Sequence, residues 1–332
     1  MIVTGKRKDQ GGHIMTKYTL HPIHIDLEKT WLMDFDEYYG GKKTYSKYLI
    51  EPYGPYQHNE LLDTVYVDPN HEMCYHEHTR GVETFLVDGG SVLTEICGKK
   101  AVCTKGDIVH LAAYTPHKFT WIDAGTIWRE LFQETQMGED CIANLRFKEY
   151  NKTEFDMAKD GQSTDSLYYT YTPVTETVPK EQIYQIRPYN SGLCIYKFEG
   201  CELRQKVARW ETKGHKEIWQ LCMEPGFQLS WSAQNPFYSL FIVQEGSVEV
   251  RIDGMEPFTA KEHDVLHIPT HLSGEITAPD KAVLFDYNCE GFGLRAIEEL
   301  YALYAADPKK AETEAEAILS KHKCYVRGHL IK

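Results

Sequence analysis

Several features that mark common classes of protein are missing from this chain of 332 residues. Its nine cysteines are widely spread and form no C-x-x-C pair, which indicates reduced cytoplasmic thiols rather than a disulfide framework. No apolar run approaches the about 20 residues of a membrane-spanning helix, and no apolar segment follows the charged start as a secretory signal would require. The net charge of -13 argues against a nucleic-acid partner. We therefore expect a cytoplasmic protein that binds neither membranes nor nucleic acids.

Common motifs of nucleotide-binding and nucleophilic enzymes are also absent. The sequence contains no P-loop pattern and no G-x-S-x-G elbow. Gly291-Phe292-Gly293-Leu294-Arg295-Ala296 does fit the dinucleotide pattern G-x-G-x-x-A, but too few residues follow it to form a parallel strand with an acidic residue. We interpret this segment as a loop that enters a helix.

What the sequence does contain is a group of residues with the spacing of a metal site. His76 and His78 stand two residues apart, so they face the same side of a strand. The stretch 79–82 allows the chain to turn and bring Glu83 to them, and His117 follows the turn-prone Tyr114-Thr115-Pro116. Three imidazoles and one carboxylate suit iron, manganese, nickel, cobalt or zinc. The alternative is that these are scattered surface side chains in a chain with fifteen histidines.

This spacing resembles the first motif of the cupin superfamily, G-x5-H-x-H-x(3,4)-E-x6-G. His76, His78, Glu83 and Gly90 match it, while Asn70 stands at its leading glycine. The resemblance implies that the two histidines and the glutamate bind a metal ion.

The second cupin motif, G-x5-P-x-G-x2-H-x3-N, is matched in part. Gly106 and His117 are present, and the replaced positions are Ala112, Tyr114 and Trp121. All four positions that bind metal in the family are therefore kept. The resemblance implies one divalent ion per chain, held by His76, His78, Glu83 and His117.

An internal repeat indicates that the domain is duplicated. Val87-Asp88-Gly89-Gly90-Ser91-Val92 recurs 156 positions later as Val243-Gln244-Glu245-Gly246-Ser247-Val248. Both copies alternate short β-branched and aromatic runs with Gly/Asp turns, which is typical of antiparallel barrels. With the cupin resemblance, this predicts a bicupin: an all-β fold of two tandem jelly-roll barrels with short C-terminal helices.

The repeat sets the predicted domain boundaries. We expect an N-terminal extension (1–50), a metal-binding barrel (51–150), a linker (151–180), a second barrel (181–290) and C-terminal helices (291–332). A short helix is predicted at 28–39, and apolar residues at 3.6 spacing predict a helix from Leu294 that Asp307-Pro308 divides in two. Because the extension and the C-terminal segment lie outside the repeat, we expect one or both to mediate a homodimer.

The second barrel is predicted to lack a metal site. The repeat aligns the four candidate ligands with Ser232, Gln234, Ser239 and Gly274, none of which keeps the ligand. His263, His267 and His271 lie nearby with a helical spacing on a segment predicted as strand and turn. We interpret them as ordinary strand and loop residues and the second barrel as structural.

Strand alternation suggests which residues surround the metal. Phe85 shares the face of Glu83, and Phe119 and Trp121 share the face of His117, so these three are predicted to bind substrate in an apolar pocket. Arg80 is a further candidate substrate-binding residue.

Arg129 and Tyr114 are the candidate catalytic residues. An arginine on the strand Thr126–Gln133 needs an anionic partner, so Arg129 is the preferred group to orient a carboxylate or phenolate. The alternatives for Arg129 are an ion pair with Glu130 or Glu134, or simple exposure to solvent.

Three functions remain open at this stage. The cupin resemblance and the apolar pocket imply an enzyme acting on a small organic acid, with a non-haem iron dioxygenase as the first hypothesis. The second is a redox-neutral isomerase, decarboxylase or lyase of sugar or keto acids, and the third is a non-enzymatic binding cupin. Dioxygenase and redox-neutral chemistry share one ligand set, so the sequence does not separate them.

Overall fold

A computed structural model describes residues 42–50, 61–73, 75–133, 166–168, 175–231, 239–268, 272–287 and 293–322. The first strands are β1 (Thr44–Ile50), β2 (Leu61–Tyr66), β3 (His71–Glu72), β4 (His76–His78), β5 (Glu83–Gly89), β6 (Ser91–Ile96), β7 (Lys99–Thr104), β8 (Ile108–Leu111), β9 (His117–Trp121), β10 (Thr126–Gln133), β11 (Ser166–Tyr168), β12 (Glu176–Thr177) and β13 (Ile186–Arg187). The predicted helix at 28–39 lies outside the described residues.

The later elements within the described residues are ten strands and two α-helices. They are β14 (Ile195–Phe198), β15 (Cys201–Val207), β16 (Ile218–Met223), β17 (Gln228–Trp231), β18 (Ser239–Glu245), β19 (Ser247–Ile252), β20 (Phe258–Lys261), β21 (Val265–Ile268), β22 (Gly274–Thr277), β23 (Ala282–Asp286), α1 (Leu294–Ala306) and α2 (Pro308–Lys321). The predicted break at Asp307-Pro308 is confirmed: Asp307 ends α1 and caps α2 by accepting a hydrogen bond from Lys310 N–H.

The first barrel has the strand order of a jelly roll. One sheet runs β1-β2-β10-β5-β8-β13 and the other runs β11-β4-β9-β6-β7-β12, with β3 paired to β9. Numbered along the chain from β2 and without the small β3, the eight barrel strands follow the orders 1-8-3-6 and 2-7-4-5, which are those of two interlocked Greek keys. Phe85 and Trp128 from one sheet pack with Phe119 and Trp121 from the other in a buried core.

The second barrel repeats this order. Its sheets run β14-β15-β16-β23-β18-β21 and β17-β22-β19-β20, so the eight strands from β16 again follow 1-8-3-6 and 2-7-4-5. Its core is fully buried and apolar, with Phe241 and Leu284 from the first sheet and Val250 and Ile276 from the second. The prediction of an all-β fold with two tandem jelly rolls and short C-terminal helices is confirmed.

Two positions of the repeat require glycine for steric reasons. Gly90 and Gly246 occupy equivalent hairpin turns with φ of 72° and 74°. A Cβ at Gly90 would lie 2.5 Å from Thr126 Oγ1, and one at Gly246 would collide with the Lys281 carbonyl. Any side chain there would meet both backbone strain and a clash, so both copies keep glycine.

Contacts divide the described chain into two units. One contains the described residues up to 195 together with 204–219, and the other contains 196–203 and the described residues from 220 onward. Parts of the predicted linker extend the first barrel, since β11 pairs with β4 and β12 pairs with β7. No helix within the described residues is both long and apolar enough to cross a membrane.

Candidate metal centre

Two adjacent strands of one sheet and one strand of the facing sheet carry the candidate ligands at one end of the first barrel. His76 and His78 are the first and last residues of β4, and His117 begins β9 directly opposite His76 in the ladder. A bend at 79–80 returns the chain, so that Glu83 begins β5 in the facing sheet. The short strand β4 and the bend after it thus bring the two histidines and Glu83 together, as the H-x-H-x4-E spacing predicted.

The four side chains converge in the interior. The ligand nitrogens of His76, His78 and His117 lie within 4.8 Å of one another, and each histidine is at most 3% exposed. Glu83 lies on the same centre, with Oε1 3.2 Å from His78 Nε2 and Oε2 3.5 Å from His117 Nε2. Three imidazoles and a carboxylate at this separation fit the donor set of a divalent metal ion.

The protonation states favour a cation. Burial alone raises the pKa of the Glu83 carboxyl, but the charge and hydrogen bond of His78, with the charges of His117 and His76, bring it down to about 2. Burial lowers the pKa of His117, against the opposing effects of Glu83 and the Thr115 carbonyl. An ionised Glu83 carboxylate and a His117 imidazole that gives up its proton more readily both favour the form in which these residues bind a metal.

The orientation of His117 is fixed from outside the centre. Its Nδ1 lies 2.8 Å from the Thr115 carbonyl oxygen, and a carbonyl can only accept. Nδ1 therefore carries the proton and donates it to this bond, which leaves the Nε2 lone pair directed at the other donors. The turn before β9 thus selects the tautomer that a metal ligand requires.

Aromatic rings close the barrel below the histidines. The His117 ring lies 5.3 Å from Phe119, which lies 5.4 Å from Phe85 and 4.9 Å from Trp128. All four side chains are at most 4% exposed. Phe85 and Phe119 thus form the floor of the centre, as the alternation predicted.

Trp121 lies deeper than the predicted substrate pocket. Its ring stacks on Tyr66 at 3.9 Å, and its centroid is 6.1 Å from that of Phe119. Trp121 also faces His71 in the β3–β9 ladder. Trp121 is therefore part of the closed core below Phe119, and we do not propose it as a substrate-binding residue.

Tyr114 and Arg80 lie on loops next to the ligands. Tyr114 is 64% exposed, and its N–H donates a 2.7 Å hydrogen bond to the His78 carbonyl. Its φ of 59° explains why the family motif has glycine at this position. Arg80 is exposed and lies in the turn between His78 and Glu83. Tyr114 stays a candidate catalytic residue, and Arg80 stays a candidate substrate-binding residue.

Arg129 does not have the surroundings predicted for it. The side chain is fully buried, and Nε donates a 2.8 Å hydrogen bond to Oδ2 of the equally buried Asp88. Arg129 follows Trp128 on β10, so it faces away from the interior that Trp128 fills. Asp88 supplies the anionic partner that the sequence required, and none of the three interpretations considered from the sequence named it. We therefore drop the catalytic role predicted for Arg129.

Glu130 is a residue that the sequence reasoning missed. It lies opposite Phe85 in the β10–β5 ladder and is partly exposed. Since alternate residues share a face, Glu130 is on the inward side with Trp128 and next to the floor. Counting two residues on from a buried tryptophan could have found it, but the sequence reasoning considered Glu130 only as a partner for Arg129.

A histidine outside the candidate metal centre, His110, is buried on the outer face of the first barrel. His110 Nδ1 lies 2.9 Å from Thr84 Oγ1, and its ring is also bonded to the backbone of Glu211. Burial lowers the pKa of His110 to about 4. The charge of Glu211 raises this pKa, and the charge of Arg187 lowers it further. His110 is therefore neutral in the folded chain near pH 7.

This pKa predicts a loss of stability in acid. Between pH about 6.5 and 4 the unfolded chain takes up a proton that the folded chain does not, so the free energy of unfolding falls by up to about 3 kcal/mol as the pH drops. Replacing His110 by glutamine should make the fall from pH 7 to pH 4.5 smaller, as measured by urea unfolding. An equal fall in both proteins would contradict the neutral, buried state of His110.

The described part of the second barrel contains no comparable cluster of metal-binding side chains. His263 has φ of 73° at the turn before β21, the place that Gly106 takes before β8. It is a turn residue, and its neighbour Asp264 accepts the Lys261 N–H as Asp107 accepts the Thr104 N–H. The two barrels thus share their turns and differ in their centres.

The fold is that of two tandem cupin-type jelly rolls. The repeated strand order and the position of the histidine cluster at one end of the first jelly roll carry this assignment, and they agree with the motifs read from the sequence. The resemblance to the cupin superfamily is confirmed at the level of the fold.

Comparisons with known proteins give matches among solved structures. No family model and no curated protein matches the chain. Among solved structures, the oxalate decarboxylase–formate complex of Lactobacillus farciminis matches at 13% identity and a TM-score of 0.45, over 74% of this chain and 81% of that one. Salicylate 1,2-dioxygenase of Pseudoaminobacter salicylatoxidans with gentisate matches at 14% and 0.48, over 75% and 74%. At these values the likeness carries no argument about what this chain does.

Proposed function

We propose that this chain is a metal-dependent enzyme that acts on a small organic acid, with a non-haem iron dioxygenase-type activity as the first candidate. His76, His78, Glu83 and His117 are the proposed ligands of one divalent ion per chain. The observation that supports this most is the cluster of three buried imidazoles, with Glu83 carboxylate oxygens 3.2 Å from His78 Nε2 and 3.5 Å from His117 Nε2. A purely structural site could be satisfied by hydrogen bonds and needs no such set of donors.

The donor set allows several metals. Imidazole and carboxylate suit iron, manganese, nickel, cobalt and zinc, and four protein donors would leave positions open for a substrate oxygen and a further small molecule. We propose iron because the first candidate activity requires one-electron chemistry. When bound, the ion supplies Lewis acidity and, as iron, one-electron chemistry.

The surrounding residues limit what can reach the centre. Phe85, Phe119 and Trp128 fill the barrel below His117, so neither water nor substrate can approach from that side. Among the described residues, the loops that carry Arg80 and Tyr114 lie next to the ligands, and we propose that substrate approaches there. A cationic side chain and an exposed aromatic ring there suit a small acid, whose carboxylate Arg80 would attract and whose apolar part would face the floor.

A redox-neutral activity is the second candidate, and Glu130 is the observation that favours it. A carboxylate on the inward face, next to Phe85, can take or return a proton at a bound substrate. A dioxygenase that uses two open metal positions has less need of such a group. Isomerisation, decarboxylation or elimination of a keto or sugar acid would use it directly.

Oxygen consumption separates the two candidates. The protein is prepared without oxygen, loaded with Fe²⁺, and given a panel of aromatic and 2-oxo acids in an oxygen-electrode cell. Uptake of one O₂ per product, absent after loading with Zn²⁺, is expected for the first candidate. Turnover without oxygen that falls by about 10² to 10⁴ in Glu130→Gln supports the second. No turnover of any acid with any of the five metals would contradict both.

Two further expectations stay predictions. They are the domain boundaries derived from the repeat and assembly as a homodimer. Sedimentation velocity at micromolar concentration would test the second.

A further inference from the structure

The segment Ala208–Glu217, which we call the strap, is folded tightly on itself. It begins with a 3-10 turn at Arg209–Thr212, closed by a 2.9 Å hydrogen bond from Ala208 N–H to Glu211 Oε2. The Thr212 hydroxyl accepts from Lys216 N–H at 2.7 Å and donates to the Lys216 carbonyl at 2.6 Å. The strap thus holds its shape through bonds within itself.

Three contacts join the strap to the turn and strands around Glu83. Lys213 Nζ donates a 2.9 Å hydrogen bond to the Arg80 carbonyl, in the turn between His78 and Glu83. The Glu211 backbone is bonded to the His110 ring, whose Nδ1 lies 2.9 Å from Thr84 Oγ1. Thr84 is the residue after Glu83, so these two contacts hold the chain on either side of that ligand.

The third contact is made at an irregular point of the ladder beside Glu83. In the β10–β5 pairing Glu130 lies opposite Phe85 and Phe132 opposite Thr84, so Leu131 is an extra residue without a counterpart on β5. A bulge of this kind interrupts the ladder hydrogen bonds. Lys216 Nζ donates a 2.5 Å hydrogen bond to the Leu131 carbonyl.

Lys216 is suited to this task because it is fully buried. A buried ammonium group is costly unless acceptors surround it, and a buried carbonyl at a bulge is costly without a donor. Each group supplies what the other needs. The bond therefore fixes the position of the bulge, and through it the register of β10 against the first residues of β5.

We infer that the strap positions Glu83 for metal binding, with Lys216 as its central positioning residue. The inference rests on the proposed metal centre. The three contacts reach the turn before Glu83, the residue after it and the strand beside it, so together they restrict the place where the carboxylate enters the interior. Lys216 itself acts through the backbone and does not bind the metal.

The chain contains a matched control in Lys206. This lysine is also fully buried, and its Nζ donates hydrogen bonds of 2.8, 2.7 and 2.6 Å to the carbonyls of Pro188, Tyr189 and Ser191. None of these acceptors lies on a strand or turn that carries a proposed ligand. Replacing Lys206 by methionine therefore also removes a buried ammonium group, at a place that does not touch Glu83.

The experiment measures cobalt binding by the full-length protein, because Co²⁺ reports both affinity and ligand geometry through its visible spectrum. In Lys216→Met we expect the dissociation constant to rise about 10- to 100-fold and the visible bands to shift. In Lys206→Met both should stay as in the unchanged protein, even where urea unfolding shows similar losses of stability. Adding Lys216→Met to a Glu83→Gln variant should change affinity little further, because the residue it positions has already lost its charge.

The outcomes separate this inference from the proposed metal centre. If the unchanged protein binds no cobalt, the metal centre itself is wrong. If it binds cobalt and Lys216→Met matches Lys206→Met in affinity and spectrum, the strap has no positioning role. A Lys216→Met change that weakens binding equally with and without the Glu83 carboxylate would also overturn that role. Should Lys216→Met fail to fold, Lys213→Met, which removes the contact to the Arg80 carbonyl, provides the same comparison.

Discussion

A protein in which His76 and His78 are both alanine is expected to bind almost no divalent metal and to lose its turnover. Only His117 and Glu83 remain of the four proposed donors, and two donors on separate strands give neither the affinity nor the geometry of the intact set. Elemental analysis after loading and desalting should show the content fall from about one ion per chain to almost none. The fold should persist, because the floor of Phe85, Phe119 and Trp128 is untouched.

The control for this variant is another histidine that interacts with a glutamate. His322 Nε2 lies 2.7 Å from Glu299 Oε2 at the end of α2, in the other unit of the chain. His322→Gln should leave the metal content unchanged. A double variant that still binds one ion per chain would show that the ligands have been misassigned.

Breaking the Asp88–Arg129 pair is expected to give the second large effect, on stability. Both groups are fully buried, and Arg129→Met leaves the Asp88 carboxylate without this charged partner. The free energy of unfolding should fall by about 3–5 kcal/mol, measured by urea unfolding. Replacing Asp88 by leucine in the same protein should recover much of the loss, because no buried charge is then left behind.

The same variants decide between the two roles considered for Arg129. If Arg129 is structural, the folded fraction of Arg129→Met should bind metal as before and turn over with nearly unchanged kcat and KM. A variant that keeps its stability within about 1 kcal/mol but loses substrate binding would restore the role predicted from the sequence.

The convergence of the proposed ligands was predictable because their arrangement depends on local geometry. His76 and His78 share a face through strand alternation, and Glu83 follows after a single turn, so the spacing alone brings three donors together. The barrels were predictable for a related reason. Turn residues with positive φ, such as Gly90 and Gly246, recur at a fixed offset and reveal the duplication.

Partners from distant parts of the chain were not predictable. Asp88 is 41 residues from Arg129 in the sequence. It lies beside the hairpin turn, and aspartate is common at turns whether or not it forms an ion pair. The sequence therefore suggested a substrate as the anionic partner of Arg129, whereas in the structure Asp88 is that partner. Trp121 was correctly placed on the face of His117, but alternation does not report depth, and its ring lies in the closed core.

The strap gave no signal in the sequence. Its contacts join residues 133 positions apart at Lys213 and Arg80, and 85 positions apart at Lys216 and Leu131. A lysine in a sequence is normally interpreted as a surface charge, since lysine is rarely fully buried. Only the register of β10 against β5 reveals the bulge at Leu131 that gives Lys216 its acceptor.

The most direct test of the proposed metal centre is the position of the metal itself. Crystals of the Fe²⁺-loaded or Co²⁺-loaded protein are measured at the absorption edge of the metal, and an anomalous difference map is calculated. We expect one peak per chain, within about 2.0–2.3 Å of a nitrogen of His76, His78 and His117 and of a Glu83 oxygen. A map with no peak there, or with its strongest peak in the second barrel, would contradict the proposed centre.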